Sequence, residues 1–425
     1  MQVTYSNEKI NGFGGINLTD HILSNGGIYA FIDRELGSRY ANASYSYSDI
    51  VRSYLNLVFS GGDCAEDINA HNRPILDQLK GFNPPSADTL LRMQKELSTE
   101  KQHYTGRKGI SHEFNSNIAL NRLMVGLLIN LRQVISSDGN TLDYDNQFTA
   151  NDKYDSRRSY KKADGYMPGI ASIGNFPVYI ENRNGNSNVK YRQAETLERM
   201  FNLLKEFDVR IKRFRADCGS FTREVVSLVE KEAEYFYIRA MRCSELLSRI
   251  KNIINWQEVE IGYKTYQVAS IEYAPFGGEK SYRYVISREK KSDGQYDLFS
   301  GDHFVYRAIM TNDWEKSDEE IIRFYNARGE SERLFDEMNN DFCWKKMPFS
   351  FLQENTVFMI IMAICRNLYH FLINFISKKV DFVKPYYRLK KFIYRFIVVP
   401  AKWIRRGRQD VLKLFSSRGY HLAVE

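Results

Sequence analysis

The chain has 425 residues, enough for two or more domains, and carries a formal net charge of +8. Its N-terminus is polar and its longest apolar run, residues 357–365, falls short of the roughly 20 residues that span a bilayer, so we expect no signal peptide and no membrane partner. Five scattered cysteines without metal-site spacing exclude a structural zinc and predict a reducing, cytoplasmic location.

The first 135 residues predict a mostly helical region. Apolar periodicity places helices at residues 47–59, 65–79, 87–97 and 112–131. Short helices joined by tight turns are compatible with a helix-turn-helix reader of DNA and equally with a plain helical bundle.

Two aspartates follow, each on a predicted strand. Residues 141–148 alternate as a strand does, which puts Asp143 and Asp145 on the same side. Residues 209–217 form another strand, and it ends at Asp217. An aspartate at the carboxyl end of a strand points into the crevice where open α/β sheets bind ligands. Each aspartate is also an ordinary turn or capping residue.

The order of elements around these strands indicates the fold. After the Asp145 strand come strands at 165–173 and 176–181 and a helix at 193–207; after the Asp217 strand come a helix at 221–229 and a strand at 235–240. The order β-β-β-α-β-α-β is that of the ribonuclease H-like fold, an α/β fold. Residues 252–314 are rich in strand formers and predict an inserted antiparallel β subdomain.

The next predicted helix carries a constellation of functional side chains. Ser317 reads as its N-cap, with acidic residues in the first turn. Steps of three and seven residues bring Tyr325, Arg328 and Glu332 onto one stripe, which suits a metal ion and a phosphate oxygen. The same spacing is typical of an amphipathic helix with a solvated charged face.

Asp145, Asp217 and Glu332 in this order, with the glutamate inside Tyr-x-x-Arg-x-x-x-Glu, resemble the DDE transposases of bacterial insertion sequences. More narrowly, the chain is similar to their Tyr-Arg-Glu signature branch, which carries a long insertion before the catalytic helix. The resemblance covers about residues 5 to 350 and includes residues 45–50, 61–67, 85–89, 183–186 and 215–219.

The resemblance implies that Asp145, Asp217 and Glu332 are catalytic metal ligands. Three carboxylates can hold two Mg²⁺ ions, for which Mn²⁺ would substitute. The family implies that water frees a 3′-hydroxyl at the element end, which then attacks target DNA, and we expect a homodimer in the DNA complex. Tyr325 and Arg328 are expected to contact the DNA. Asp143 remains an alternative to Asp145 as the first carboxylate.

One residue departs from the family pattern. A lysine usually follows the glutamate by about seven residues, and this chain has Asn339 there. The DNA contact of that lysine is therefore in doubt, and Lys345 or Lys346 are the candidates to replace it.

Positive charge is concentrated at the C-terminus. Residues 378–425 hold 13 Lys and Arg against three acidic residues, a net charge of +10, whereas residues 1–377 carry −2. Aromatic residues alternate with the basic ones, which favours contact with a phosphate backbone through residues such as Arg405, Arg406 and Arg408. Packing on the body of the protein or on an acidic lipid surface are the alternatives.

The sequence thus predicts five parts. They are a helical DNA-binding region (1–135), a ribonuclease H-like core (136–251), a β insertion (252–314), the core helix with Glu332 (315–350) and a basic helical region (351–425). The expected function is cleavage of insertion-element ends and strand transfer. A metal-dependent nuclease without strand transfer would not need the flanking regions, and a non-catalytic DNA-binding relative would have lost a carboxylate.

Overall fold

The computed structural model describes residues 1–106, 109–135, 139–290, 296, 301 and 303–425. Parts of the expected insertion, at 291–295, 297–300 and 302, lie outside the described residues. The chain forms two compact units. The first comprises Met1–Gln133, Thr149–Tyr166 and Phe335–Glu425, and the second comprises Val134–Phe148 and Met167–Leu334. The five-part division stays a prediction.

The described residues form α-helices and β-strands throughout. In chain order the helices are α1 (Gly15–Asn25), α2 (Ile28–Leu36), α3 (Ser48–Phe59), α4 (Arg73–Leu76), α5 (Ala87–Glu96), α6 (Ile118–Asn130), α7 (Gln193–Glu206), α8 (Arg223–Glu232), α9 (Ser244–Lys251), α10 (Asp318–Asn326), α11 (Glu330–Asn340), α12 (Leu352–Ser377) and α13 (Leu389–Phe392). The strands are β1 (Gln102–Thr105), β2 (Ser111–Asn115), β3 (Asn140–Asn146), β4 (Thr149–Ala150), β5 (Arg157–Arg158), β6 (Asp164–Tyr166), β7 (Gly169–Ile173), β8 (Phe176–Arg183), β9 (Ile211–Ala216), β10 (Ala233–Arg239), β11 (Gln257–Ile261), β12 (Lys264–Tyr273), β13 (Tyr282–Lys290), β14 (Phe304–Thr311), β15 (Ala401–Arg406) and β16 (Gln409–Leu414).

The helices predicted near the N-terminus are confirmed in part; in place of the one expected at 65–79 the structure has a π-helix at Ile68–Asn72 followed by the short α4. Those expected at 47–59 and 87–97 are α3 and α5. The helix expected at 112–131 starts later, at Ile118, because β1 and β2 form a hairpin just before it. Asn117 fixes the start of α6, since its side chain accepts a hydrogen bond of 3.2 Å from the Leu120 amide.

The core of the first unit is built around α12, which packs against α3, α5 and α6. By length and composition alone, α12 is the one helix among the described residues that could cross a membrane, but 94% of its most apolar window is buried inside the protein. That burial is what a core helix shows. Within this core, the carboxylate of Glu337 accepts hydrogen bonds from Arg366 and His370, and all three side chains are buried.

The second unit is built on one mixed sheet. Its strands run in the order β8-β7-β3-β9-β10-β14-β13-β12-β11. The pairs β3/β9 and β9/β10 are parallel, whereas β3/β7, β7/β8 and β10/β14 are antiparallel. The predicted β-β-β-α-β-α-β order and the α/β class are therefore confirmed. The strands of the insertion continue this sheet through β14 rather than forming a separate one.

The insertion strands form part of the apolar surface on which α10 packs. Ile321, Ile322 and Tyr325 of α10 join Tyr237, Val259, Val268, Val285 and Ile309 in one buried apolar cluster. Ser317 caps α10 as predicted: its hydroxyl accepts from the Glu320 amide at 3.3 Å and the Glu320 carboxylate accepts from the Ser317 amide at 2.9 Å.

The structure differs from the sequence prediction at the end of α10. The helix stops at Asn326, a 3₁₀ turn covers Ala327–Gly329, and α11 begins at Glu330. Tyr325, Arg328 and Glu332 therefore do not share one stripe of a continuous helix. Gly329 explains the break in part, because glycine is a poor residue for a helix interior.

The C-terminal region also differs from the helix expected as far as residue 425. After α12 and α13, β15 and β16 form an antiparallel hairpin. Gly407 and Arg408, with φ of 55° and 68°, make its two-residue turn, the type that suits the twist of a hairpin. The indole of Trp403 donates a hydrogen bond of 2.8 Å to the Gln78 carbonyl, so the hairpin packs within the first unit.

The buried carboxylate of α11 yields a stability prediction. Replacing Glu337 by Gln removes the carboxylate that accepts from the buried Arg366 guanidinium, so we expect the free energy of unfolding to fall by about 3–5 kcal/mol in urea denaturation at neutral pH. Asp336→Asn is the matched control: its partner Arg388 is 42% exposed and keeps Asp341, so the expected loss is below about 1 kcal/mol.

The stability difference between wild type and Glu337→Gln should also depend on pH. Burial raises the pKa of Glu337, but the His370 hydrogen bond and the Arg366 charge outweigh it and lower the pKa from 4.5 to about 2. A carboxyl group whose pKa is lower in the folded than in the unfolded state stabilises the fold fully at pH values above its unfolded-state pKa. This contribution is lost as the pH falls toward the folded-state pKa of about 2. The difference in stability between wild type and Glu337→Gln should therefore shrink below about pH 4.5. A constant difference down to acid pH would contradict this assignment.

Candidate active site

Two carboxylates lie side by side at the carboxyl ends of parallel strands in the second unit. In the β3/β9 register, Asp143 pairs with Arg215 and Tyr144 pairs with Ala216. Asp145 follows Tyr144 and Asp217 follows Ala216, so the two aspartates occupy equivalent places on neighbouring strands. This edge of the sheet is where α/β folds place their ligands.

The carboxylate of Asp145 lies near both a cation, Arg328, and another carboxylate, Asp217. Its Oδ2 accepts a hydrogen bond of 2.8 Å from Nη1 of Arg328, and its Oδ1 accepts one of 2.8 Å from the Asn146 amide. Burial raises the pKa of Asp145, the nearby charge of Asp217 raises it further, and Arg328 acts in the opposite direction. Asp217 in turn accepts a hydrogen bond of 2.8 Å from the Gly219 amide.

The guanidinium of Arg328 is the cation that balances this pair. Burial lowers its pKa, but Tyr325, Asp145 and Asp217 raise it by more, so the net shift is upward and the group stays charged. Its Nε is buried and, among the residues that the structure describes, has no hydrogen-bond partner. A charged donor without an acceptor is ready to bind an oxygen of a ligand.

Tyr325 lies beneath the site. Its side chain is 5% exposed, and its hydroxyl donates a hydrogen bond of 3.2 Å to the Ala216 carbonyl, directly before Asp217. Burial raises the pKa of the phenol, which therefore stays protonated. This position favours a supporting role over the DNA contact that the sequence suggested.

Asp143 has a different task. Its carboxylate makes a two-point ion pair with Arg215, with distances of 2.6 Å to Nε and 2.7 Å to Nη2, and both residues are buried. Nη1 of Arg215 also donates to the Phe324 carbonyl of α10 at 2.5 Å. Asp143 is thus committed to a structural contact, which favours Asp145 as the site carboxylate. The stretch 215–219 belongs to the sequence resemblance, but this role of Arg215 depends on a contact that no local pattern predicts.

Glu332 is not gathered with the other two carboxylates. It is exposed on the first turn of α11. In the part of the chain that the structure describes, the carboxylates of Asp145, Asp217 and Glu332 do not all lie within 4.8 Å of one another; the group that does is Asp63, Cys64 and Asp67 in the first unit. The structure therefore brings together Asp145, Asp217, Tyr325 and Arg328.

The remaining basic candidates all belong to the first unit. Lys345 donates a hydrogen bond of 2.9 Å to the Asn340 side chain, and the Lys346 ammonium pairs with Asp63. Arg405, Arg406 and Arg408 are exposed on the β15/β16 hairpin and its turn. The backbone-binding role proposed for these arginines requires exposure, and they have it.

The donor chemistry of the site fits a hard divalent cation. Asp145 and Asp217 present carboxylate oxygens at one edge of the sheet, and each carboxylate adds to the negative potential at the other. Oxygen ligands are what Mg²⁺ and related ions prefer. A guanidinium with an unused donor completes a site that can hold both a cation and a phosphate.

Comparison with known protein families gives a match over nearly the whole chain. The family described as Transposase DDE domain group 1 matches residues 5–423. No curated protein is matched by the chain. Similar solved structures include a piggyBac transposase synaptic complex with hairpin DNA, determined by cryo-EM, which is 11% identical with a TM-score of 0.45; the alignment covers 92% of this chain and 80% of that one.

The different tasks of the two β3 aspartates can be separated by stability. Asp143→Asn removes the partner of a buried guanidinium and should cost about 3–5 kcal/mol of unfolding free energy. The Asp145 carboxylate is repelled by Asp217 and attracted by Arg328. Asp145→Asn removes both interactions, so their effects offset and we expect the free energy of unfolding to change by less than about 1 kcal/mol. Urea denaturation of both variants in metal-free buffer is the measurement. A larger loss for Asp145→Asn would reverse the two assignments.

Proposed function

Because the chain belongs to the transposase DDE domain family, we propose that it is a transposase that cleaves DNA at the ends of an insertion element and joins the freed 3′-hydroxyl to target DNA. The observation that carries the proposal is the pair Asp145 and Asp217 on parallel strands, with the Arg328 guanidinium bonded to one of them. Its family makes the chain a transposase. The cleavage and joining steps are our inference.

Membership of this family implies dependence on a divalent metal. We propose two Mg²⁺ ions, with Mn²⁺ able to substitute, held by Asp145, Asp217 and Glu332. When bound, such ions activate the attacking oxygen and stabilise the leaving oxygen of an in-line displacement. Glu332 is separated from α10 by the turn Ala327–Gly329, and we propose that the first turn of α11 brings it to the aspartates in the complex with DNA.

Arg328 has two successive tasks in this proposal. In the free protein it reduces the repulsion between Asp145 and Asp217 through its 2.8 Å contact with Asp145. When DNA binds, its unpartnered Nε and its amino groups donate to an oxygen of the scissile phosphate. Tyr325 and Arg215 keep their places beneath, and thereby hold Asp217 and the end of α10 in position.

The surrounding regions supply affinity for DNA. We propose that the exposed Arg405, Arg406 and Arg408 contact the phosphate backbone, together with Lys345 and Lys346 near the position where the signature lysine is replaced by Asn339. The helical N-terminal region would read the element end. The assignment to the Tyr-Arg-Glu branch of bacterial insertion sequences, the homodimer and the bacterial cytoplasm belong to the same proposal.

The first test is cleavage of labelled element-end DNA with Mg²⁺ under single-turnover conditions. Ala in place of Asp145, Asp217 or Glu332 should lower the cleavage rate by at least about a thousandfold and leave DNA binding in EDTA largely intact, because the carboxylates act on the reaction rather than on the backbone. Glu234→Ala, an exposed acidic residue of β10, is the control and should cleave normally. Full cleavage by Glu332→Ala would remove it from the triad, and nicking without joined products would favour a nuclease over a transposase.

The second test concerns the hairpin arginines. The triple change of Arg405, Arg406 and Arg408 to Gln should reduce the slope of log affinity against log salt by up to about 0.9 for each phosphate that is no longer neutralised, with little change in sequence preference. Because these side chains are exposed, the melting temperature should stay the same. Arg34→Gln, a 68% exposed arginine of α2, controls for general charge. An unchanged slope would assign the hairpin to packing.

A further inference from the structure

A third charged side chain lies at the active-site edge of the sheet, one strand beyond the two aspartates. In the parallel β9/β10 register, Ile238 pairs with Ala216. Arg239 follows Ile238 as Asp217 follows Ala216. The strand ends β3, β9 and β10 therefore present Asp145, Asp217 and Arg239 in a row.

The side chain of Arg239 is half-buried. Among the described residues its side chain has no ion pair or hydrogen bond. Burial lowers the pKa of Arg239, and the nearby charges of Arg307 and Arg242 lower it too, while Tyr325 acts in the opposite direction. An arginine stays charged in proteins, so a cation remains partly out of water and close to other cations. Such a group is costly unless an anion joins it.

Arg239 faces a pocket that suits an anion. Its lining includes the polar residues Arg239, Arg242, Tyr306 and Arg307, and Leu246, Leu247 and Ile250 of α9 form an apolar wall. Arg307 is partly neutralised by Glu289, with which it forms an ion pair. Cys243, the N-cap of α9, also lines the pocket and gives no side-chain hydrogen bond to the helix. The positive end of α9 thus adds to the three guanidinium groups.

We propose that Arg239, with Arg242 and Arg307, binds a phosphate of the DNA backbone next to the one held at Asp145 and Asp217. The proposal rests on the function proposed above and adds a binding site to it. Neighbouring strands lie about 4.8 Å apart, and one DNA strand carries a phosphate for about every 3.4 Å of helix rise. A DNA strand that crosses the edge of the sheet therefore brings a second phosphate within reach of Arg239, whereas a free phosphate ion would gain nothing from the row.

The test compares wild type with Arg239→Gln in binding to a fluorescently labelled 40-base-pair duplex, followed by anisotropy over a range of salt in EDTA. Because the variant neutralises one phosphate fewer, its salt slope should be smaller by about 0.9 and its affinity roughly tenfold weaker. The melting temperature of the free variant should equal or exceed that of wild type, since an unpaired cation has been removed. Arg239→Lys should keep most of the slope, because it keeps the charge, and its retention of binding guards against misfolding of the Gln variant.

Arg249→Gln is the matched control. It also removes one arginine charge, here from α9. The Arg249 guanidinium is 53% exposed and lies 3.6 Å from Glu245, so neither the salt slope nor the melting temperature should change much. A slope in Arg239→Gln equal to that of wild type overturns the proposal. If inorganic pyrophosphate raises the melting temperature of wild type but not of Arg239→Gln while the slope is unchanged, the pocket binds a small phosphate anion and the backbone assignment is overturned.

The outcome is separable from that of the proposed function, because binding is measured without metal. An Arg239-dependent slope in a protein that gives no cleavage product with Mg²⁺ would refute the transposase chemistry and support this site. Cleavage with an unchanged slope would do the reverse. A wild-type protein that does not bind duplex DNA would refute both.

Discussion

The buried guanidinium of Arg215 joins the three elements that carry the candidate site. Arg215 lies on β9 and binds Asp143 on β3 through two nitrogens. Its third nitrogen donates a hydrogen bond to the Phe324 carbonyl near the end of α10. Asp145 and Asp217 each lie two residues beyond this ion pair, so it joins the two strands directly before the carboxylates. The hydrogen bond from Arg215 to the Phe324 carbonyl holds the last turn of α10 in place, four residues before Arg328, which contacts Asp145.

The β insertion has a structural consequence for the site. Its strands extend the sheet beyond β10 and form the apolar surface on which α10 packs. Tyr325 belongs to that cluster, and its hydroxyl supports the residue before Asp217. The insertion therefore positions the helix beside the aspartates, whatever it also contacts in a complex with DNA.

The sequence was sufficient for features set by local patterns. Alternating residues predicted β3, apolar periodicity predicted α3 and α7, and Ser317 predicted the start of α10. Asp145 and Asp217 could be found because they end strands in a recognisable order. The hairpin of β15 and β16 was missed since its basic residues resemble a polar helix face, and its turn depends on the positive φ of Gly407 and Arg408.

Other features depend on contacts between distant parts of the chain. The ion pair of Asp143 with Arg215 joins residues 72 positions apart, and the contact of Arg328 with Asp145 joins residues 183 apart. Arg239 gave no signal in the sequence because its place beside Asp217, and its lack of an ion pair among the described residues, arise only in the folded sheet. The break between α10 and α11 was also hidden, because a single glycine is compatible with a continuous helix as well as with a turn.

We propose above that Asp145 and Asp217 form a divalent-metal site at which a phosphodiester reacts. Its most direct test is Mn²⁺ binding to the protein bound to duplex DNA, measured by electron paramagnetic resonance of the free ion. We expect saturable binding by wild type, loss of that binding in Asp217→Asn, and its retention in the control Glu234→Gln. Equal Mn²⁺ binding by wild type and Asp217→Asn would show that these aspartates do not form the metal site.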